Sequence, residues 1–299
     1  MPELPDLTLY LERLEPRIVD RPLEKIRLMS PFLLRSVTPP LTAFEGQAVR
    51  SLRRLGKRIV WCFDDTRFLV FHLMIAGRFR WRKRRAKASR KLGLAAFDFP
   101  EGSLLMTEAS TKKRAWLRAV EGEEALAALD PGGVEPLDVD AAAFASALTR
   151  ENRTLKRALT DPRLFSGIGN AYSDEILHRA KLSPGKRTRD LSDDETATLR
   201  DATRGVLTDW IERLQEELPE DKFPEKVTAF REAMAVHGKF KEPCPDCGMP
   251  VQQIVYAENG SYYCARCQTG GRLLKDRAIS KLLGVDWPKS LEELEEAKP

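Results

Sequence analysis

Two cysteine pairs, Cys244-Pro-Asp-Cys247 and Cys264-Ala-Arg-Cys267, stand sixteen residues apart near the carboxyl end of a 299-residue chain. Each pair offers two thiolates from one turn. The stretch between them, Val251 to Tyr263, reads as strand, Asn259-Gly260 turn, strand, a hairpin that gathers both pairs around one tetrahedral ion. One structural zinc, its four positions closed by Cys244, Cys247, Cys264 and Cys267, is the expected cofactor. In a reducing cytosol such clustering favours metal over disulfides or four inert buried thiols. Cys62, inside an apolar run, reads as core packing.

The other end of the chain offers a nucleophile. Removal of Met1 would leave Pro2 with a terminal secondary amine. An α-amine titrates near pH 8, against about 10.4 for a lysine side chain, so a useful fraction is neutral and nucleophilic at cellular pH. Attack on the anomeric carbon of a deoxyribose would form an iminium, the electron sink for strand cleavage by β-elimination, with Glu3 in reach of the sugar as acid or base. A proline at position two carries no weight alone; its neighbours decide. A third candidate is Gly167-Ile-Gly169-Asn170, where the glycines permit a tight turn and Asn170 opens a helix whose free amides suit a phosphate. Lys156, upstream, would add a second phosphate contact.

These groups need elements to hold them. Residues 6 to 16 place Leu7, Leu11 and Leu14 on one side at helical spacing, with Pro16 stopping the run. From about Ile26 to Met106 the texture is that of short β-runs such as Arg58-Ile-Val-Trp-Cys-Phe63 and Phe68-Leu-Val-Phe-His-Leu73. The alanine-rich stretch from Ala115 to Ala147 opens a helical half that continues to Leu218. Arg272 to Leu283, with Leu274, Ala278 and Leu282 at helical spacing, reads as an amphipathic helix packed on the helical domain.

Composition sets the class. The chain is 42% hydrophobic, enough for ordinary cores, and has a net charge of +5 with a pI near 8.9. No apolar run is long enough to span a bilayer, and the amino terminus lacks the features of a signal peptide, so a cytosolic location without membrane association is expected. Between Arg78 and Lys91 nine cations occur without one acid, whereas Glu212 to Glu225 is acidic, an asymmetry read either as a basic face or as a solvated loop.

Met1-Pro-Glu-Leu-Pro-Asp6 resembles the opening of the formamidopyrimidine-DNA glycosylase and endonuclease VIII family. Three further segments agree in order: Leu55-Gly-Lys-Arg58, Phe71-His-Leu-Met-Ile-Ala-Gly-Arg78 and Phe165-Ser-Gly-Ile-Gly-Asn-Ala-Tyr-Ser-Asp-Glu175. The resemblance runs from Met1 to Gln268. It implies a bifunctional DNA glycosylase and AP lyase of base-excision repair, removing oxidised purines by base eversion, Pro2 attack and β,δ-elimination, with Pro2, Glu3 and Lys57 catalytic. Met74 would fill the space left by the everted nucleotide. Arg78, Lys156, Gly167, Gly169 and Asn170 complete the DNA contacts, and Glu175 orients a loop. Endonuclease VIII-like action on oxidised pyrimidines, or noncatalytic binding of damaged DNA by the same fold, are the rival readings. The partner is damaged double-stranded DNA, met by a monomer at the nucleoid.

The implied fold is α+β multidomain: an N-terminal antiparallel β-sandwich with flanking helices over 1–132, a helical domain with a helix, two-turn, helix motif over 133–240, a zinc-ribbon hairpin over 241–268, and an extension over 269–299, with the DNA cleft between sandwich and helical domain. Two departures stand out. Thr107 to Trp116 lacks the arginine and phenylalanine with which the family wedges the duplex, leaving Met74 alone or with Lys112 or Lys113. Asn259 also stands where the zinc hairpin usually carries a phosphate-binding arginine.

Overall fold

The computed structural model describes residues 1–225, 227–228, 230–256, 259–275, 288–290 and 293, with the side chains of 65, 256 and 259 left aside. The chain divides into two compact units, residues 1–131 with 209–229, and residues 132–208 with 230–299.

The first unit opens with α1 (Leu4–Ile18). The helix starts immediately after Glu3, whose backbone N–H donates to Asp6 Oδ2 at 2.9 Å, and Pro5 occupies the first turn, where its missing N–H costs nothing. It does not stop at Pro16 as the sequence suggests. Leu14 and Ile18 are fully buried, and Val19 N–H still closes on Glu15 O at 3.0 Å, so burial of the last turn outweighs one lost backbone bond.

Eight strands follow: β1 (Lys25–Leu28), β2 (Ser51–Leu55), β3 (Arg58–Cys62), β4 (Arg67–His72), β5 (Gly77–Arg82), β6 (Gly93–Phe99), β7 (Gly102–Glu108) and β8 (Trp116–Glu121). They form two antiparallel sheets, ordered β1-β6-β7-β5 and β2-β3-β4-β8. Trp61 and Phe71 from one sheet meet Phe97 and Phe79 from the other at centroid distances of 5.1 to 5.4 Å, which makes the pair a sandwich. Tyr10 sets α1 against the same cluster, 5.8 Å from Phe79. β3 shows no polar alternation because its two faces are both covered: Ile59 and Trp61 enter this core, whereas Val60 and Cys62 join Phe68, Val70 and Val120 beneath Leu126 of α2 (Glu123–Ala127). Cys62 is thus packing. The helical half begins later than its alanines suggest. Trp116 to Glu121 is a strand paired with β4 from His72↔Trp116 to Arg67↔Glu121, because an edge of the second sheet needed that partner more than a short apolar run needed to be helical.

The second unit holds α3 (Ala141–Thr149), capped by Asp140, α4 (Leu155–Thr160), α5 (Asn170–Arg179), most of α6 (Asp193–Glu217), the hairpin of β9 (Gln252–Tyr256) and β10 (Asn259–Tyr263), and α7 (Ala265–Thr269). In the hairpin Asn259 pairs with Tyr256 and Gly260 with Val255, so these two residues are strand and not the expected turn. The positions between the strands, 257 and 258, lie outside the described residues, as does most of the helix expected from Arg272 to Leu283. No helix among the described residues is long and apolar enough to cross a membrane.

Candidate active site

In the first unit the candidate catalytic groups sit at element ends. Pro2 and Glu3 are buried just ahead of α1, with Glu3 only 3% exposed at the start of the helix. Burial pushes the terminal amine of Met1 below the ordinary amine range. Glu3 and Asp6 pull it up, and Arg78 and Lys57 press it further down. Those electrostatic neighbours place Glu3, Lys57 and Arg78 around the start of the chain. Lys57 rides the two-residue turn between β2 and β3, where Gly56 takes φ +60°, the pattern of a tight hairpin.

Met74 lies where the chain leaves one sheet for the other, between β4 and β5, in the left-handed region at φ +51°. Its N–H donates to His72 Nδ1 at 3.1 Å. Burial, with help from Arg58, Lys57 and the amino terminus, lowers His72 to about 4, so the ring is neutral with its proton on Nε2. A side chain on Gly77 would start 2.2 Å from Leu73 O, so only glycine lets the crossing close this tightly. Arg78 Nη1 donates to Ile75 O and Gly77 O at 3.0 and 2.6 Å and braces the same turn. His72 belongs to the motif that singled out Met74, yet its role is visible only in three dimensions.

The segment after β7 is held by Glu108, which is 1% exposed and accepts the backbone N–H groups of Arg114 and Ala115 at 3.0 to 3.2 Å. Lys113 Nζ binds Glu108 O, whereas Lys112 is exposed. The basic run is partly neutralised inside the unit. Arg82 pairs with Glu225 of the acidic segment and Arg84 with Glu24, so the charge asymmetry of the sequence is smaller in the fold.

In the second unit Gly167 takes φ +78° and Gly169 precedes α5 in an extended conformation. Asn170 Nδ2 donates to Gly260 O at 2.8 Å, fastening the start of α5 to the hairpin. Lys156 Nζ donates to Asn170 O and to Asp174 Oδ1 at 2.6 and 2.5 Å, so its ammonium lies at the same helix end. Asp174, fully buried, also receives His237 Nδ1 at 2.8 Å and Ser261 Oγ at 3.1 Å. Glu175 accepts three backbone N–H groups, from Ala235, Val236 and His237, at 2.7 to 2.9 Å. Burial pushes its carboxyl up, and the three donors oppose that rise. Asp174 and His237 went unassigned in the sequence because nothing in their spacing shows that they meet.

The four sulfurs of Cys244, Cys247, Cys264 and Cys267 lie within 4.8 Å of one another, with Cys244–Cys267 at 3.9 Å and Cys247–Cys264 at 3.4 Å. Ligands about 2.3 Å from a tetrahedral zinc stand roughly 3.8 Å apart, so this set fits that ion. His178 Nε2, 3.3 Å from Cys244 Sγ, backs the site from α5.

Residues 1–114 match the formamidopyrimidine-DNA glycosylase N-terminal domain, residues 132–219 the formamidopyrimidine-DNA glycosylase H2TH domain, and residues 241–270 the zinc finger found in FPG and IleRS. The chain is 31% identical over 283 residues to the formamidopyrimidine-DNA glycosylase of Geobacillus kaustophilus, covering 90% of this chain and all of that protein. It is also 31% identical to a formamidopyrimidine-DNA glycosylase of Thermus thermophilus, over 91% of this chain and all of that one. Among solved structures, Thermus thermophilus MutM aligns with a TM-score of 0.76 at 30% identity, over 89% of this chain and 98% of that one. A Lactococcus lactis FPG mutant in complex with Fapy-dG-containing DNA aligns at 0.79 and 25% identity, over 90% of this chain and 100% of that one.

Proposed function

Because the chain belongs to the formamidopyrimidine-DNA glycosylase family, and is thus a DNA glycosylase and AP lyase of base-excision repair acting on oxidised purines, we propose that Pro2 is its nucleophile, with Glu3 and Lys57 beside it. The observation that carries this reading is the environment of the amino terminus. Burial favours the neutral form of the Met1 amine, Lys57 and Arg78 add to that effect, and Glu3 lies at the same place; removal of Met1 would bring the terminal amine to Pro2, one residue along in these surroundings.

A stacked nucleotide keeps its anomeric carbon out of reach, so the damaged nucleotide must leave the helix first. Met74, in its left-handed turn, takes the vacated space. The neutral Pro2 nitrogen then attacks the anomeric carbon, the glycosidic bond breaks toward the base, the sugar ring opens as the C1′–O4′ bond breaks with a proton passing to O4′, and the iminium that results acidifies the adjacent sugar carbon. Loss of that proton expels the 3′ phosphate; a second elimination expels the 5′ phosphate. Lys156, Gly167, Gly169 and Asn170 hold the backbone through the amino end of α5. The structural zinc, bound by the four cysteines, fixes the hairpin that Asn170 and Asp174 grip. The working unit is a monomer on double-stranded DNA in the cytoplasm, at the nucleoid.

Borohydride trapping tests the chemistry. Duplexes carrying an abasic site or an 8-oxoguanine, incubated with Met1-processed and zinc-loaded protein, should yield a covalent adduct with the wild type. Pro2→Gly should reduce it at least tenfold, and Glu3→Gln should slow its formation on the 8-oxoguanine duplex. Absence of an adduct from wild-type protein that binds both duplexes would overturn the proposal and leave a noncatalytic binder of damaged DNA.

A further inference from the structure

The outer face of the β2-β3-β4-β8 sheet carries a cluster that the reaction described above does not use. Register places His72 opposite Trp116, and the two rings stack at 5.4 Å with 26° between their planes. Arg58, the first residue of β3, and Arg118, two residues beyond Trp116 in β8, each bring a guanidinium carbon over the Trp116 ring, at 5.6 and 5.5 Å. All four side chains are partly buried. The Nε of each arginine is buried without a hydrogen-bond partner, and neither guanidinium makes an ion pair with a described residue. The contrast with the rest of the unit is sharp. Arg27 binds Asp98, Arg50 binds Asp64, Arg53 binds Glu123, Arg82 binds Glu225 and Arg84 binds Glu24.

We propose that Arg58 and Arg118, held over Trp116, form a phosphate-binding site for the DNA backbone, additional to the contact made by Lys57. The aromatic face fixes two cations close together without neutralising either, and it leaves their outer N–H groups uncommitted. Burial disfavours the charged Arg58 guanidinium, Asp130 opposes that at a distance without pairing with it, and Arg118 adds to it, so these two partly desolvated like charges are better satisfied by an anion shared between them than by water. Lys57, adjacent in sequence to Arg58, and Met74, fixed through His72, locate the cluster beside the groups that handle the damaged nucleotide. The inference rests on the proposed function for the identity of the anion, a phosphodiester of duplex DNA. It also supplies cations to a chain in which the usual arginine of the zinc hairpin is replaced by Asn259.

Salt dependence distinguishes phosphate binding from packing. Every phosphate that the protein ceases to neutralise should flatten the slope of log K against log salt by about 0.9. On a duplex with a tetrahydrofuran abasic analogue, R58Q/R118Q should flatten it by about 0.9, the one shared phosphate, and weaken binding at least tenfold at low salt, whereas R58K/R118K should keep the wild-type slope. If the double glutamine protein does not fold, R58Q and R118Q separately should each flatten it, by up to about 0.9. A wild-type slope in folded glutamine variants would overturn the proposal, and so would a lysine pair as defective as the glutamine pair. Borohydride trapping with the wild type, run on the abasic duplex, reports separately on the catalytic reading. An absent adduct with a flattened R58Q/R118Q slope would refute the Pro2 chemistry and leave the phosphate site standing.

Discussion

His72 shows how one residue's surroundings set its chemistry. An exposed histidine gains a proton near pH 6.5, but in this fold the gain waits until about 4 because burial and the cations Arg58 and Lys57 oppose it. As pH falls from 6.5 the unfolded chain takes up this proton and the folded chain does not. Stability therefore declines through that window and stops declining, for this group, below about 4. At roughly 1.4 kcal/mol per unit of pKa difference, the loss reaches at most about 3.5 kcal/mol. Urea titrations at about pH 7 and about pH 4.5, either side of most of that window, should show a smaller acid loss in His72→Asn than in the wild type. Equal losses in the two proteins would mean that His72 is not held neutral. The same neutrality lets Nδ1 accept the N–H of Met74, so the residue proposed to fill the gap in the duplex owes its backbone geometry to an unprotonated ring.

Elements position these residues at their ends and crossings, which is where sequence and structure part company. The segment Phe71 to Arg78 marks Met74 by resemblance, but only the sheet order shows that it spans a passage between two sheets. Gly77→Ala would drive a methyl carbon into Leu73 O, a backbone atom that cannot yield without moving Met74. A loss of about 2 to 4 kcal/mol in chemical denaturation is expected, and an alanine protein as stable as the wild type would show that the turn has slack. On α5, Asp174→Asn removes the carboxylate shared by Lys156, His237 and Ser261 and leaves a largely buried ammonium. A cost of about 3 kcal/mol by the same titration follows, and one below about 1 would show that Lys156 finds another partner. The strands of the first half other than β8, the zinc ligands and the start of α5 were legible because each rests on a local pattern: short β-type runs, paired spacing, or a glycine turn. The end of α1, β8 and the hairpin turn were misread because Pro16, Ala115 and Asn259-Gly260 carry strong local preferences that burial or strand pairing overrode. Asp174, His237 and the Arg58–Trp116–Arg118 cluster depend on contacts between distant segments, which no local pattern announces.

Across the whole molecule, stability comes from two sources of different kind. The aromatic core of the sandwich, with Tyr10, Trp61, Phe71, Phe79 and Phe97, is built from residues of the first unit alone. The zinc hairpin buries only small clusters: Ile254, Tyr263, Ala265 and Leu273 form one, and in the other Val236 and Val251 pack against Cys244 and Cys264 themselves, so the metal reinforces a core of few residues. From the hairpin and α7 run the bonds that hold α5 and the turn after it, from Asn170 to Gly260 O, Ser261 to Asp174, and Gln268 to Leu182 O at 2.9 Å. Chelation should therefore release one zinc per chain and remove amide-exchange protection first from residues 244–256 and 259–267, then from the first turn of α5. Strands β3, β4, β6 and β7 should keep theirs, because no ligand or hydrogen bond of the metal site belongs to them. Thermal unfolding of the chelated protein should then separate into two transitions, since one unit has lost its organising ion and the other has not. If protection in the sandwich vanished together with that in the hairpin, the two units would share one cooperative core, and the metal would be sustaining the Pro2 site as well as the grip on DNA.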